Sequence, residues 1–392
     1  MRYTIPMDLP AEKLQVPIQL PKPLKYPLRL KPWTFAGLMI TYWCNAQCSF
    51  CYVYSGPQRR GGEMAPDLAL HLWRGLNALL PPHQPCQVHI AGGEPFQNFP
   101  RLLTIVQSAH DAGLHVLEKV ETNAFWAVND DETRLRIRAL AQAGVGMLAI
   151  SCDIYHQEFV PVERCARAAR IAAEELGPRG VRVRWWDYLR QPQDISNLTP
   201  DARRQLYARS LLDHHERLIG RAADELADCF LGYAPEAFAQ QHCYSPTLGS
   251  KHVHIDGYGH VFPGVCSGII WGTIRPTAPT PDAATATTTT PWPVEFPDIP
   301  SLWHYAQQHW RNHPVMGRVV EHGSYALFQY AQTLGYQARP QGYANKCHLC
   351  HDVRRWLHGR GHWAGVLGPT EVYHELPPAP GPGQNSLPIL GS

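Results

Sequence analysis

Residues 35–56 read FAGLMITYWCNAQCSFCYVYSG, an apolar run that passes directly into three cysteines within eight positions. The run FAGLMITYW is short, apolar and partly aromatic, and it reads as a strand. Cys44, Cys48 and Cys51 follow in the spacing C-x3-C-x2-C, with Phe50 immediately before the last. Positions i, i+4 and i+7 share one helix face, which would make these three core cysteines. Asn45, Gln47 and Ser49 between them, and the strand just before, point instead to a loop that presents thiols. A structural zinc ion closes with four ligands. Three thiolates suit a four-iron cluster with one iron left open to a small molecule.

Outward from this loop the pattern alternates to about residue 190. APDLALHLWRGLNALL (65–80) has apolar positions at three- and four-residue steps and predicts a helix. CQVHIAGG (86–93) is a strand, FPRLLTIVQSAHDAG (99–113) a helix and HVLEKVETN (115–123) a strand. The helix DETRLRIRALAQAG, the strand VGMLAIS, the helix PVERCARAARIAAEELG and the strand VRVRWWDYL follow, ending at residue 189. Strand–helix alternation with short links predicts a parallel sheet covered by helices, either a barrel or a doubly wound sheet.

With 392 residues, 44% of them hydrophobic, the chain can form one large or two ordinary domains. Its net charge of +2 and the lack of a basic tract interleaved with aromatics give no reason to expect a nucleic-acid partner. No window approaches the roughly 18 uninterrupted apolar residues of a membrane span. MRYTIPMDLPAEKLQ at the N-terminus has no signal-peptide core. The expectation is a cytoplasmic protein without a membrane partner. Its eleven cysteines should then be mostly reduced, and clusters among them point to metal rather than disulfides. Cys86, Cys152, Cys165 and Cys229 are scattered and read as small buried hydrophobes.

The loop C-x3-C-x-(aromatic)-C after the first strand resembles the signature of the radical S-adenosylmethionine (radical SAM) enzymes. The resemblance implies that Cys44, Cys48 and Cys51 bind a [4Fe–4S] cluster whose open iron is chelated by S-adenosylmethionine. One electron then cleaves the S–C5′ bond, and the resulting 5′-deoxyadenosyl radical abstracts a substrate hydrogen. The second strand ends in AGGEP, and Gly92, Gly93, Glu94 and Pro95 match the family's GGEP motif, whose backbone and glutamate bind the cofactor's amino group. The chemistry is consistent: glycines admit close backbone approach, and a carboxylate accepts from an ammonium. The third strand ends in ETNAFW, similar to the family's TNG-like segment, with Thr122 and Asn123 retained and Ala124 in place of glycine. The fourth ends in ISCDIYH, where Ser151 or Asp153 matches a position that often contacts ribose or carboxylate. Phe50 joins this cofactor set, and Arg184 is a further candidate for the cofactor's carboxylate. All stand at C-terminal strand ends, the face that carries chemistry in β/α barrels. Asp153, Tyr155, His156 and Asp187 near those ends are candidates for substrate proton chemistry. The implied fold is α/β, a partial (β/α)6 TIM-like barrel of the radical SAM type over residues 35–190.

A second cysteine set lies downstream. Cys243 and Cys266 have 22 residues between them, and GSKHVHIDGYGHVFPGVCSG between and around them predicts a hairpin turning at Gly257–Gly259. Cys347 and Cys350 are two apart in NKCHLCHDVRRWL. The arrangement resembles the auxiliary-cluster extension called SPASM or, in shorter form, twitch, and implies a second [4Fe–4S] cluster on these four thiolates. A structural zinc site uses the same ligands, and His348 and His351 adjoin the last pair as further possible donors. Four cysteines would leave no open iron, so the implied role is an electron port. That favours a two-electron oxidation or cross-link by an oxidoreductase or maturase supplied by a reduced flavodoxin- or ferredoxin-type donor.

The organisation expected is a Pro-rich leader over 1–34, the core barrel, a helical bridge over 191–242 and a smaller C-terminal α+β auxiliary-cluster domain over 243–373. A low-complexity insertion, 275–293, and a tail, 374–392, are read as mobile. The expected substrate is a peptide or protein side chain. A small alcohol or sugar is the alternative, because no peptide-binding winged-helix segment is recognisable in residues 1–34. A non-catalytic iron–sulfur or zinc scaffold is the reading from another class, and the GGEP match stands against it.

Overall fold

FAGLM forms β1 (Phe35–Met39) in the computed structural model of the chain, which describes residues 13–114, 117–264, 266–280 and 292–373. The first twelve residues of the leader, residues 281–291 of the insertion and the tail lie outside the described residues. From β1 the chain alternates as α1 (Pro66–Ala78), β2 (Gln87–Ala91), α2 (Phe99–Asp111), β3 (Leu117–Thr122), α3 (Asp130–Gln142) and β4 (Leu148–Ser151). A single turn, α4 (Ile154–Gln157), precedes α5 (Val162–Leu176) and β5 (Val181–Arg184). Side-chain caps start several helices: Asn98 Oδ1 accepts from Arg101 N at 3.1 Å, and Asn129 Oδ1 from Glu132 N at 2.9 Å.

The fifth strand is shorter than its sequence suggests. Trp185 takes a left-handed backbone (φ 56°) and stacks on His214 with ring centroids 3.9 Å apart, so WDYLR turns into the helix α6 (Trp186–Arg190). The bridge contains α7 (Pro200–Asp213) and α8 (Arg221–Glu225), and the predicted hairpin appears as β6 (His252–Asp256) and β7 (His260–Pro263). Then come β8 (Gly272–Ile274), β9 (Glu295–Phe296), α9 (Ile299–His309), α10 (Met316–Thr333) and α11 (Lys346–Gly359).

Among the described residues the strands form one nine-stranded sheet in the order β5-β4-β3-β2-β1-β6-β7-β8-β9. The stretch from β5 to β6 is parallel throughout, so the fold is mixed α/β with a large parallel sheet. The sixth parallel strand, β6, lies beside β1 rather than beyond β5, and the hairpin that opens the downstream cysteine region thereby extends the same sheet.

The two faces of the sheet differ. Ala36, Leu38, Val88, Ile90, Val120, Leu148, Ile150, Val253 and Ile255 are all buried. They share one hydrophobic core with helix residues such as Leu72, Leu76, Leu102, Ile105, Ile137 and Ile171. Side chains alternate across a strand, so Gly37, His89, Glu121, Ser151, Arg184 and His254 fall on the other face, at whose C-terminal edge the cysteine loop begins. Parallel strands covered on both faces are ordinarily apolar throughout. A face this polar is spent on something other than packing.

Candidate functional site

The cysteine loop leaves β1 and is shaped mainly by its backbone. Cys44 N donates to Gly56 O at 3.2 Å, and Cys51 N to Cys48 O at 3.0 Å. Arg221, at the start of α8, clamps it from behind. Its backbone N–H donates to Cys51 O (3.0 Å), and its guanidinium to Cys48 O (2.7 Å) and Ser55 O (2.9 Å). The side chain is 1% exposed. Nothing in the sequence marks this arginine, because its partners are carbonyls about 170 positions away that any residue could supply.

Cys44 and Cys48 are buried and Cys51 is half-buried. Backbone and amide donors approach two of the sulfurs: Ala46 N reaches Cys44 Sγ at 3.4 Å, Ser55 N reaches Cys51 Sγ at 3.3 Å, and Asn123 Nδ2 lies 3.7 Å from Cys44 Sγ. Burial pushes the Cys44 and Cys48 thiols up, favouring thiol over thiolate until a cation shares the site. The three cysteines line a cavity of about 110 Å³ that opens to solvent. Phe50, Gly92, Gly93, Pro95, Thr122, Asn123, Ser151, His156 and Arg184 line the same cavity. Residues far apart in sequence are thus brought to one place.

The GGEP turn is built against the cysteine loop. Gly93 N donates to Thr41 O (2.7 Å) and Glu94 N to Trp43 O (2.8 Å). A Cβ at Gly93 would stand 2.0 Å from Trp43 O, so only glycine fits. Glu94 is fully buried and does not line the cavity. Its carboxylate accepts from Phe96 N (3.1 Å), Thr122 Oγ1 (2.8 Å) and Asn123 N (2.7 Å). Burial raises the Glu94 carboxyl to about 7 against the lowering effect of those three bonds. Three of roughly four acceptor positions on the carboxylate are taken by the protein, and the Glu94 side chain ties β2 to the end of β3. Asn123 Nδ2 in turn donates to Asn45 Oδ1 at 2.9 Å, and Ala124 takes the left-handed backbone (φ 63°) that suits the glycine of a TNG-like segment.

The four proton-chemistry candidates separate. His156 lines the cavity, with Nδ1 2.8 Å from Asp153 Oδ1. Asp153 is fully buried and caps α4, accepting from Tyr155 N and His156 N at 3.1 and 3.0 Å, while its Oδ2 has no hydrogen-bond partner among the described residues. Burial alone would raise the Asp153 carboxyl, but His156 outweighs it and holds the group below the ordinary value. Tyr155 is buried behind Phe50, stacked on it at 4.6 Å, with its hydroxyl donating to Tyr207 O. Asp187 is exposed on α6 and is not among the cavity residues. Arg184 pairs with Glu216 and lies over the Phe50 ring, 5.1 Å from its centroid.

The second cysteine set is assembled from a loop, the end of the hairpin and the first turn of α11. Cys243, Cys266, Cys347 and Cys350 are all half-buried, and cations gather round them. Arg217 lies 3.6 Å from Cys266 Sγ, and the buried Arg354 donates to Ser267 O at 2.8 Å. Burial raises the Cys243 thiol, and the proximity of Cys350, Cys347 and Cys266 raises it further. His348 Nδ1 accepts from Ala344 N (3.3 Å), and His351 Nε2 lies 3.2 Å from the Tyr54 hydroxyl. The two cysteine sets touch through their neighbours: Ser267 Oγ donates to Tyr52 O at 2.9 Å, joining the residue after Cys266 to the residue after Cys51. Among the described residues, neither set brings three donor atoms within 4.8 Å of one another.

No family model and no curated protein matches the chain. Among solved structures it is similar to BtrN in complex with AdoMet and 2-DOIA, at 13% identity over 72% of this chain and 89% of that one, with a TM-score of 0.40. It is also similar to Streptococcus suis SuiB bound to S-adenosylmethionine, at 13% identity over 59% of this chain and 60% of that one (TM-score 0.32). A third is native anSMEcpe with bound AdoMet, at 13% identity over 59% and 74% of the two chains (TM-score 0.33).

Proposed function

We propose that the chain is a radical SAM enzyme, with Cys44, Cys48 and Cys51 holding a [4Fe–4S] cluster and S-adenosylmethionine filling the adjoining cavity. The observation that supports this most is that three cysteines, the Gly92–Gly93 backbone and the ends of β3, β4 and β5 share one cavity at the C-terminal edge of a parallel sheet. When bound, cluster and cofactor supply reductive cleavage of a carbon–sulfur bond and hydrogen-atom abstraction from a substrate.

The chain's own residues position and shield that chemistry. Backbone carbonyls of the Gly92–Gly93 turn accept the cofactor's ammonium, while Glu94 holds the loop of Thr122 and Asn123 in place. Ser151 and Arg184 face the polar parts of the cofactor, and Phe50 gives it an aromatic wall. His156, fixed through Nδ1 by Asp153, offers Nε2 for moving a substrate proton.

In the same reading the parallel strands belong to a partial barrel of this family, and residues 243–373 form a SPASM- or twitch-like domain. Cys243, Cys266, Cys347 and Cys350 hold an auxiliary [4Fe–4S] cluster there. Its electron-accepting role is supported by the Tyr52–Ser267 contact between the two sets and by the surrounding arginines. The substrate is then a peptide or protein side chain, and a reduced flavodoxin- or ferredoxin-type partner supplies the electron for cofactor cleavage. A small alcohol or sugar would use the same residues.

Anaerobic reconstitution with iron and sulfide, followed by dithionite and S-adenosylmethionine, should yield 5′-deoxyadenosine. A Cys44→Ala, Cys48→Ala, Cys51→Ala variant should yield none. Undiminished cleavage by that variant, or no S-adenosylmethionine binding by the reconstituted wild type, overturns the assignment and returns the cysteines to a scaffold.

A further inference from the structure

Away from both cysteine sets, three histidines converge on the polar face of the sheet. His89 on β2 and His254 on β6 stand in register with Gly37 of β1, one on each side, and His252 lies two residues before His254. One ring nitrogen from each histidine falls within 4.8 Å of the others. His89 Nε2 and His252 Nε2 are 3.3 Å apart. Gly37 makes the space. A Cβ there would stand 2.5 Å from His89 Nε2 and 2.8 Å from His254 Nε2. His89 and His254 are 3% and 5% exposed, and His252 is half-buried.

The outer nitrogens decide where the protons sit. His254 Nδ1 lies 2.7 Å from Gly264 O, and His89 Nδ1 lies 3.2 Å from Glu121 Oε1. A carbonyl oxygen only accepts, so His254 Nδ1 donates, and in the neutral ring Nε2 then carries a lone pair. The Nε2 atoms of His89 and His254 both border the space that Gly37 leaves empty.

The geometry points to a divalent transition-metal site with His89, His252 and His254 as its nitrogen ligands, zinc being the ion it fits best. Tetrahedral zinc with 2.0–2.1 Å bonds to nitrogen places its ligands about 3.3–3.4 Å apart, and His89 and His252 already stand at 3.3 Å. The outer contacts to Glu121 and to a backbone carbonyl are those that orient metal-binding histidines. Lys119 is the opposing cation near the site, and its ammonium is paired with Glu121 at 3.2 Å. Three protein ligands leave one position for water or for an oxygen of a bound molecule. Glu121, which also lines the cavity of the cysteine loop, links this site to that one.

The test uses full-length protein with its iron sites anaerobically reconstituted, titrated with Zn²⁺ and separately with Co²⁺. One zinc per chain should bind beyond the iron. Cobalt should give visible d–d bands without the sulfur-to-cobalt charge transfer of a cysteine site. His252→Ala, at the half-buried position, should lose that zinc and those bands at unchanged iron content and circular dichroism. Gly37→Ala should do the same by occupying the ion's place. Zinc uptake equal in wild type and His252→Ala, or a cobalt spectrum dominated by thiolate charge transfer and unmoved by either variant, overturns the site.

Discussion

Glu94 accepts from Phe96 N, Thr122 Oγ1 and Asn123 N with both carboxylate oxygens buried, so its replacement acts first on the loop and only through it on any cofactor. Glutamine keeps one acceptor oxygen and sets an amide N–H₂ against a donor. The expected loss is about 1–3 kcal/mol of stability for Glu94→Gln, the cost of a buried group left unpaired. The pH dependence has a definite sign. A folded-state value of about 7 against an ordinary 4.5 means the folded protein binds this proton more tightly than the unfolded chain does. The associated stability is present below the unfolded value and is lost as pH rises through the folded one. Urea unfolding at about pH 5 and about pH 7 should therefore show wild-type apoprotein losing stability that Glu94→Gln does not lose. Weakened S-adenosylmethionine binding at unchanged stability would instead restore the carboxylate to direct contact with the ammonium. Of the residues that line the cavity, Cys44, Cys48 and Cys51 were legible by their spacing, and Phe50, Gly92, Gly93, Thr122, Asn123 and Ser151 by resemblance to family motifs. The direction of the Glu94 carboxylate was not, since a motif specifies a residue and not which of two loops its side chain joins.

At the scale of elements, helix α8 is only five residues long, yet its first residue holds the cysteine loop through a backbone N–H and two guanidinium bonds. Each hydrogen bond from a charged donor is worth about 1.5–3 kcal/mol. Arg221→Met should leave the Cys48 and Ser55 carbonyls unpaired and loosen the loop. The expected outcome is reconstituted protein with clearly less iron than wild type, with Arg221→Lys intermediate because it retains one donor. Equal iron content in Arg221→Met and wild type would reduce the clamp to ordinary packing. The strand–helix alternation was readable throughout 35–184, because apolar period separates the two types of element. The end of β5 was misjudged by several residues, since Trp185 and Trp186 look like strand residues until His214, just after α7, supplies the stacking partner for Trp185.

Among the described residues the strands form one sheet, with one cysteine set after β1 and the other flanking the β6–β7 hairpin and opening α11, joined at Tyr52 and Ser267. That joint predicts a division of labour. A Cys347→Ala, Cys350→Ala variant should lose about four irons per chain, by the stoichiometry of one cluster, and still release 5′-deoxyadenosine. Iron content equal to wild type, or one zinc per chain bound at these cysteines in anaerobically purified protein, would remove the second cluster. Because structural metal sites contribute folding energy, circular dichroism of the variant is read alongside.

Periodicity by itself determined the parallel α/β character, spacing singled out the first cysteine loop, and the resemblance to family motifs pointed to most of the residues around its cavity. These features are local, and the physics that produces them acts over a few residues. The tertiary structure alone decided that β6 lies beside β1, that Arg221 closes the cysteine loop and that His89, His252 and His254 meet over Gly37. The pairing of β6 with β1 and the meeting of the histidines arise from contacts across 160 or more positions, as between His89 and His252. HVHID and QVHIA show only an alternation of apolar and polar residues. A period of two says which face a side chain takes, and only pairing in space says what it meets there.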